Sequence, residues 1–107
     1  MKLAEGAYGV AGSMPASELY GLTRELKRSA VSIPSNIAEG KGRGRTGHFV
    51  NHLIIALGSE AELQTQLELS MRLGFITAAR TQPLLDAASE IGRMLNGLIA
   101  SLEASKG

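Results

Sequence analysis

The stretch SIPSNIAEGKGRGRTGHF, residues 32–49, concentrates the side chains best suited to chemistry. Lys41, Arg43 and Arg45 alternate with Gly42, Gly44 and Gly47, just ahead of a segment with helical periodicity. The free N–H groups and the dipole at a helix start favour an anion, and neighbouring cations add to that preference. Lys27 and Arg28, earlier on the exposed side of the preceding helix, extend these residues to a five-cation set that could contact phosphates. The run is not a nucleotide-binding P-loop, because the G-x-x-x-x-G-K-[ST] spacing is absent and no strand precedes it. No aromatic residue interleaves it, which argues against base stacking. The plainer alternative is a solvated turn whose cations balance the C-terminal dipole of the preceding helix.

Two further sets of residues invite a chemical reading. His48 and His52 are four apart, so they share one helix face and together could hold a metal. A third ligand is missing, and Asn51 stands between them with no Glu where a metalloprotease helix would need one. Helical bundles also build di-metal sites from inward Glu residues and Glu-x-x-His motifs. Here both histidines precede the Glu60/Glu62 pair, so no such motif exists and no metal or other cofactor is expected. Asn36, Glu39, Ser59 and Glu62 are therefore read as structural polar residues. Asn36 or Glu39 would pair with Ser59 or an arginine to fix helix register, and either Glu60 or Glu62 would face the bundle or a subunit boundary. No nucleophile, base or metal cluster has convincing spacing, so the sequence predicts a protein that is not an enzyme, with no small-molecule substrate.

The elements that must carry these residues are helices. The chain has 107 residues, 44% of them hydrophobic and only 4% aromatic, with no Trp. A single domain over 1–107 with a core of Leu, Ile, Ala and Met follows. The absence of Cys excludes disulfides and thiolate metal sites, and fits a cytoplasmic protein. A formal charge of +1 leaves any pull on nucleic acid to local patches. No apolar run approaches the roughly 20 residues of a membrane span, and no signal-peptide pattern opens the chain.

Leu3, Ala7 and Val10 predict a short helix over about 2–12, weakened by Gly6, Gly9 and Gly12. Leu19, Leu22, Leu26, Ala30, Ile33 and Ile37 keep phase through Pro34, so a second helix is expected over about 17–40, capped by Ser17 and closed by Gly40. Phe49, Leu53, Ala56, Leu63 and Leu67 mark a third over 46–73, capped by Thr46 and stopped by Gly74. Leu84, Ala88, Ile91, Leu95, Leu98 and Leu102, widened by Met94 and Ile99, mark a fourth over 77–103. Short loops make neighbours antiparallel, which gives an all-α, up-down four-helix bundle with a shortened first helix. Small residues Ala56, Gly58, Ser59 and Ala61 form a thin face that Gly92 and Gly97 could meet. The first helix is too short to cover its share of the core, so either the chain starts late or another subunit covers the rest of the Leu/Ile stripe.

The blocks ELYGLTRELKRSAVSIPSNIAEG, GRGRTGHFVNHLIIALGSEAELQTQLELSMRLGFI and RMLNGLIASL, spread over about residues 14–103, resemble the bacterial 23S rRNA intervening sequence proteins. The resemblance implies a four-helix bundle that assembles into a ring-like homo-oligomer, commonly a pentamer. It also implies a longer first helix with a Trp near its start, so that Met1 falls partway along that helix. The expected role is that of an oligomeric scaffold for a protein or RNA partner. The alternative is nucleic-acid binding through the basic loop 41–45, as in the related accessory proteins of diversity-generating retroelements, which are markedly more basic than this chain.

Overall fold

The computed structural model describes residues 2–42 and 44–106, with the side chain of Lys106 left aside. Four α-helices run through them: α1 Lys2–Ala11, α2 Leu22–Gly42, α3 Thr46–Arg72 and α4 Ala78–Lys106, with a 3₁₀ turn at Ala16–Glu18 between α1 and α2. No strand occurs among the described residues. Each helix packs on its sequence neighbours, and α1 also packs on α4, while the diagonal pairs stay apart. The rod measures 48 × 22 × 18 Å, close to the roughly 40 Å length that the rise per residue gives α3.

The apolar stripes of α2 and α3 lie where their period places them. Leu26, Ala30, Ile33, Leu53, Ala56, Leu63 and Leu67 are fully buried, each large side chain contributing about 1.5–3 kcal/mol of hydrophobic stabilisation. α2 runs through Pro34 without interruption and continues two residues past Gly40. Gly40 does not end the helix because it is buried in the packing: a methyl group there would lie 2.8 Å from the His52 Cβ and 3.1 Å from the Phe49 ring. The turns that do reverse the chain use Gly44 and Gly74, whose φ angles of 71° and 79° are ones that L side chains rarely adopt.

Three expected details differ. Ser17 does not cap α2; it sits inside the 3₁₀ turn that follows Pro15, and α2 begins at Leu22. Thr46 is the first residue of α3 rather than its cap, and Arg45 occupies the cap position in extended conformation with no side-chain bond. α4 continues to Lys106, beyond the expected end at 103. At its start Thr77 Oγ1 accepts the Arg80 N–H at 3.3 Å, and the Arg80 guanidinium reaches across to donate to Ser13 Oγ at 2.6 Å and the Gly9 carbonyl at 3.4 Å. Arg80 thus supplies a cation to the C-terminal end of α1, whose last turn has none.

The core divides in two. Where α1 is present, Leu3, Ala7, Val10 and Ala11 close over Leu26, Ala30, Ile33, Leu63, Leu67, Leu85 and Ala88. Beyond the end of α1, Val50, Leu53, Ala56, Leu95 and Ile99 form a second cluster drawn from α3 and α4, with Ile37 of α2 packed against it. Met94 and Leu98 do not join either core and remain 65% and 39% exposed. They lie further along the α4 face that Arg80 and Leu84 turn toward α1, at helical spacings that keep that orientation, but at a level α1 does not reach.

Candidate functional site

The glycine–basic corner is a real concavity. A cavity of about 240 Å³ lies between the end of α2 and the start of α3, lined by Gly40, Lys41, Gly44, Arg45, Thr46 and Phe49. The first turn of α3 carries no acidic residue, so its free N–H groups, Lys41 and Arg45 all present positive potential to the same space. No aromatic interleaves the run, but Phe49, one helical turn into α3, forms a wall of the cavity. Arg43, the middle cation of the expected set, lies outside the described residues.

The other two cations do not join this corner. Lys27 and Lys41 are fourteen positions apart on one continuous helix, which separates them by roughly 21 Å. Arg28 is committed elsewhere. Its Nε donates to both Glu25 oxygens at 2.9 and 3.2 Å, and its Nη2 to Glu62 Oε2 at 2.8 Å. The hydrogen bonds to Glu25 and then to Glu62 hold the guanidinium above its usual pKa, and the same contact holds the Glu25 carboxyl below its own. The geometry therefore separates the five cations into a corner pair, an ion-paired arginine and Lys27, whose Nζ lies 5.4 Å above the Tyr8 ring.

Arg28 heads a polar seam that runs down the α2–α3 contact. Ser32 Oγ and Ser59 Oγ are 2.6 Å apart. Asn36 Nδ2 donates to the Ser32 carbonyl at 2.8 Å and to Ser32 Oγ at 3.0 Å. That carbonyl accepts only, so the amide nitrogen of Asn36 must face Ser32 and its Oδ1 must face His52 Nδ1, 3.0 Å away. His52 then carries its proton on Nδ1. Asn36 thus reaches Ser59 through Ser32, and Glu62 takes an arginine. Glu39 lies exposed on the penultimate turn of α2. His48 is exposed, and no three His, Asp or Glu side chains among the described residues are grouped to hold a metal.

Of the two mid-helix carboxylates, Glu60 turns inward and Glu62 outward. Glu60 is 5% exposed, accepts a hydrogen bond from Gln64 Nε2 at 2.6 Å, and lodges against Gly92 of α4. Gly92 therefore meets a carboxylate, whereas Gly58, Ala61 and Gly97 face outward. One surface escaped the sequence reading altogether. On the turn into α2 and its first turns a concavity of about 330 Å³ is lined by Leu19, Tyr20, Thr23, Arg24 and Lys27. The signal available was Leu19–Tyr20 beside Gly21, an apolar pair at a turn, but the apolar spacing assigned Leu19 to the α2 core stripe.

The fold and these contacts define an antiparallel four-helix protein whose polar side chains brace helix against helix. The chain belongs to the 23S rRNA-intervening sequence protein family, whose model matches residues 1–97. It is also similar to a crystal structure of a protein of unknown function from the S23 ribosomal protein family of Bacteroides thetaiotaomicron VPI-5482. The two are 25% identical, the match covers 91% of this chain and 97% of that one, and the TM-score is 0.72. No curated protein matches the chain.

Proposed function

We propose that this chain is a non-enzymatic cytoplasmic scaffold that associates with copies of itself, as a ring-like oligomer of about five subunits, and through that assembly holds a protein partner. The observation that carries the reading is a set of exposed apolar side chains on the two longest helices. Ile54 and Ile55 of α3 are 50% and 51% exposed, and Met94 and Leu98 of α4 are 65% and 39% exposed. Apolar side chains aligned on one helix face are the usual raw material of a subunit contact. Light scattering of the purified protein tests it. An oligomer is expected in the micromolar range, and Met94→Glu with Leu98→Glu should lower its mass while leaving the helical signal intact. A monomer for the unsubstituted chain would overturn the reading.

A second reading is favoured by the corner cavity alone. Lys41, Arg45 and the start of α3 offer an anion site with Phe49 as an apolar wall, which would suit a backbone phosphate of RNA together with an adjacent base. Lys27 and Arg28 take no part in that version. Binding of a single-stranded RNA oligomer that weakens with salt, and is lost on Lys41→Glu with Arg45→Glu, would support it; binding indifferent to both would remove it.

A further inference from the structure

The cavity at the α1–α2 turn combines four features that do not occur together elsewhere among the described residues. First, it displays apolar side chains without covering them: Tyr20 is 84% exposed and Leu19 51%. Second, it holds them on ordered backbone. Glu18 N–H donates to Pro15, Leu19 N–H to Ala16, Gly21 N–H to Glu18 and Glu25 N–H to Gly21, at 2.9 to 3.2 Å. Presenting anchors from a turn already fixed lowers the ordering cost of binding.

Third, the wall contains an unsatisfied group. Thr23 is 5% exposed, and its hydroxyl is buried with no hydrogen-bond partner. A buried hydroxyl without a partner is destabilising, and a binding partner that satisfies it removes that cost. Thr23 is itself one of the lining residues, so the orphan hydroxyl belongs to the wall that a docked segment would cover. Fourth, the rim carries two cations, Arg24 and Lys27, three apart on one side of α2, and neither makes an ion pair with a described carboxylate. The contrast with Arg28, one residue on and saturated by Glu25 and Glu62, is direct.

We propose that Leu19, Tyr20, Thr23, Arg24 and Lys27 form a docking site for an acidic protein segment. The segment seats an apolar side chain against Leu19 and Tyr20, offers its backbone to Thr23, and sets carboxylates against Arg24 and Lys27. Tyrosine, arginine and a concave apolar wall are the composition of interface anchors. A protein is favoured over a nucleic acid on two grounds. The cations number two on a chain of net charge +1, too few to hold a phosphate backbone against physiological salt. The second tyrosine nearby, Tyr8, already has Lys27 over its ring, which takes a stacking surface from a base. This assignment rests on the scaffold reading and names the chemistry of its partner.

The test is a titration of the isotope-labelled full chain with a short synthetic peptide carrying one Phe among Glu and Asp residues, followed by amide shifts. Saturable shifts centred on Leu19, Tyr20, Thr23 and Arg24 are expected, with affinity falling about tenfold or more for Tyr20→Ala and for Arg24→Glu with Lys27→Glu. These side chains are exposed or at the rim, and circular dichroism of each variant is to check that it is folded. A peptide with Ala in place of Phe should bind several-fold more weakly. No shifts up to about millimolar peptide, or the same shifts produced more tightly by a single-stranded RNA oligomer, would overturn the proposal. Shifts of these amides with protein concentration alone would assign the surface to a second copy and also overturn it. Light scattering on the same samples reports the oligomer separately, so failure of the docking site and failure of the scaffold reading are distinguished.

Discussion

The two halves of the bundle are built from the same three long helices and differ in one neighbour. In the half that contains α1, Leu26, Ala30, Leu63 and Leu67 are sealed on all sides. In the other half Leu95 and Ile99 are buried against α3, yet Met94 and Leu98, on the adjacent face of α4, are not. A helix stripe is thus a statement about which side of a rod is apolar, while burial depends on whether another rod arrives. The first half buries its apolar side chains, and the second leaves Met94 and Leu98 at the surface.

Cavity-forming substitutions give the largest effect and the sharpest test of that contrast. Leu67→Ala in the closed half leaves a void that four packed helices cannot collapse, and should cost about 3–5 kcal/mol. Leu95→Ala removes the same atoms beside the open face, where neighbours can move in, and should cost nearer 2–3 kcal/mol. Urea unfolding of both variants checks the order. Equal losses would mean that the two halves are equally constrained and would break the comparison.

Gly40→Ala comes next. In an unconstrained helix this change would gain about 1 kcal/mol. Here the new methyl would lie 2.8 Å from the His52 Cβ, an atom too close to the α3 backbone to swing aside. The helices must part, and a net loss of about 1–3 kcal/mol is expected. Gly92→Ala makes an instructive control, because the atom it meets is the mobile end of Glu60, which can turn away. A chain stabilised by Gly40→Ala would show that the lower α2–α3 contact is looser than its distances indicate.

How much of this was legible beforehand follows from the same distinction. The stripes through Leu53, Leu63 and Leu67 obey helical period, and period is a property of sequence. The exposure of Met94 and Leu98 depends on which neighbouring helix faces them, which their own spacing does not contain. Glu60 and Glu62 are two positions apart, about 200° around a helix; spacing shows that they point to opposite sides, and only the packed neighbours show which side is inside. The cations of the basic corner were readable as a group because they are adjacent in the chain. Lys27 and Arg28 could not be assigned to it from charge alone, since the ion pair with Glu62 links residues 34 positions apart. The turn cavity was hidden for a similar reason: Leu19 fits the α2 stripe, but the 3₁₀ turn after Pro15 delays the helix to Leu22 and leaves Leu19 outside it.

The seam between α2 and α3 supplies a smaller effect. Asn36→Ala removes three hydrogen bonds at once and leaves Ser32 and His52 to find water. A loss of about 1–2 kcal/mol is expected, because the groups are part-buried and can be partly rehydrated. Asn36→Asp keeps an acceptor for His52 but loses the donor to Ser32, so it should fall between the two. If Asn36→Ala unfolds at the same denaturant concentration as the unsubstituted chain, the seam orders side chains without stabilising the contact.

The smallest effect belongs to Arg28, although it forms two ion pairs, at 2.9 Å with Glu25 and 2.8 Å with Glu62. All three partners are close to half exposed, and water and salt screen such pairs until little net stabilisation is left. The sign can still be fixed. The hydrogen bond from Arg28 holds the Glu25 carboxyl below its ordinary pKa. A depressed carboxyl contributes stability that is present above the unfolded-state value of about 4.3 and is lost as pH falls through the lower folded-state value. The unsubstituted chain should therefore lose slightly more stability than Arg28→Ala between neutral pH and the acid side of that window, and the gap should shrink at molar salt. Thermal melts of both proteins across that pH range measure it. A gap as large as that from Asn36→Ala would mean that Arg28 is shielded from solvent, as it would be if a neighbouring subunit covered this end of the seam.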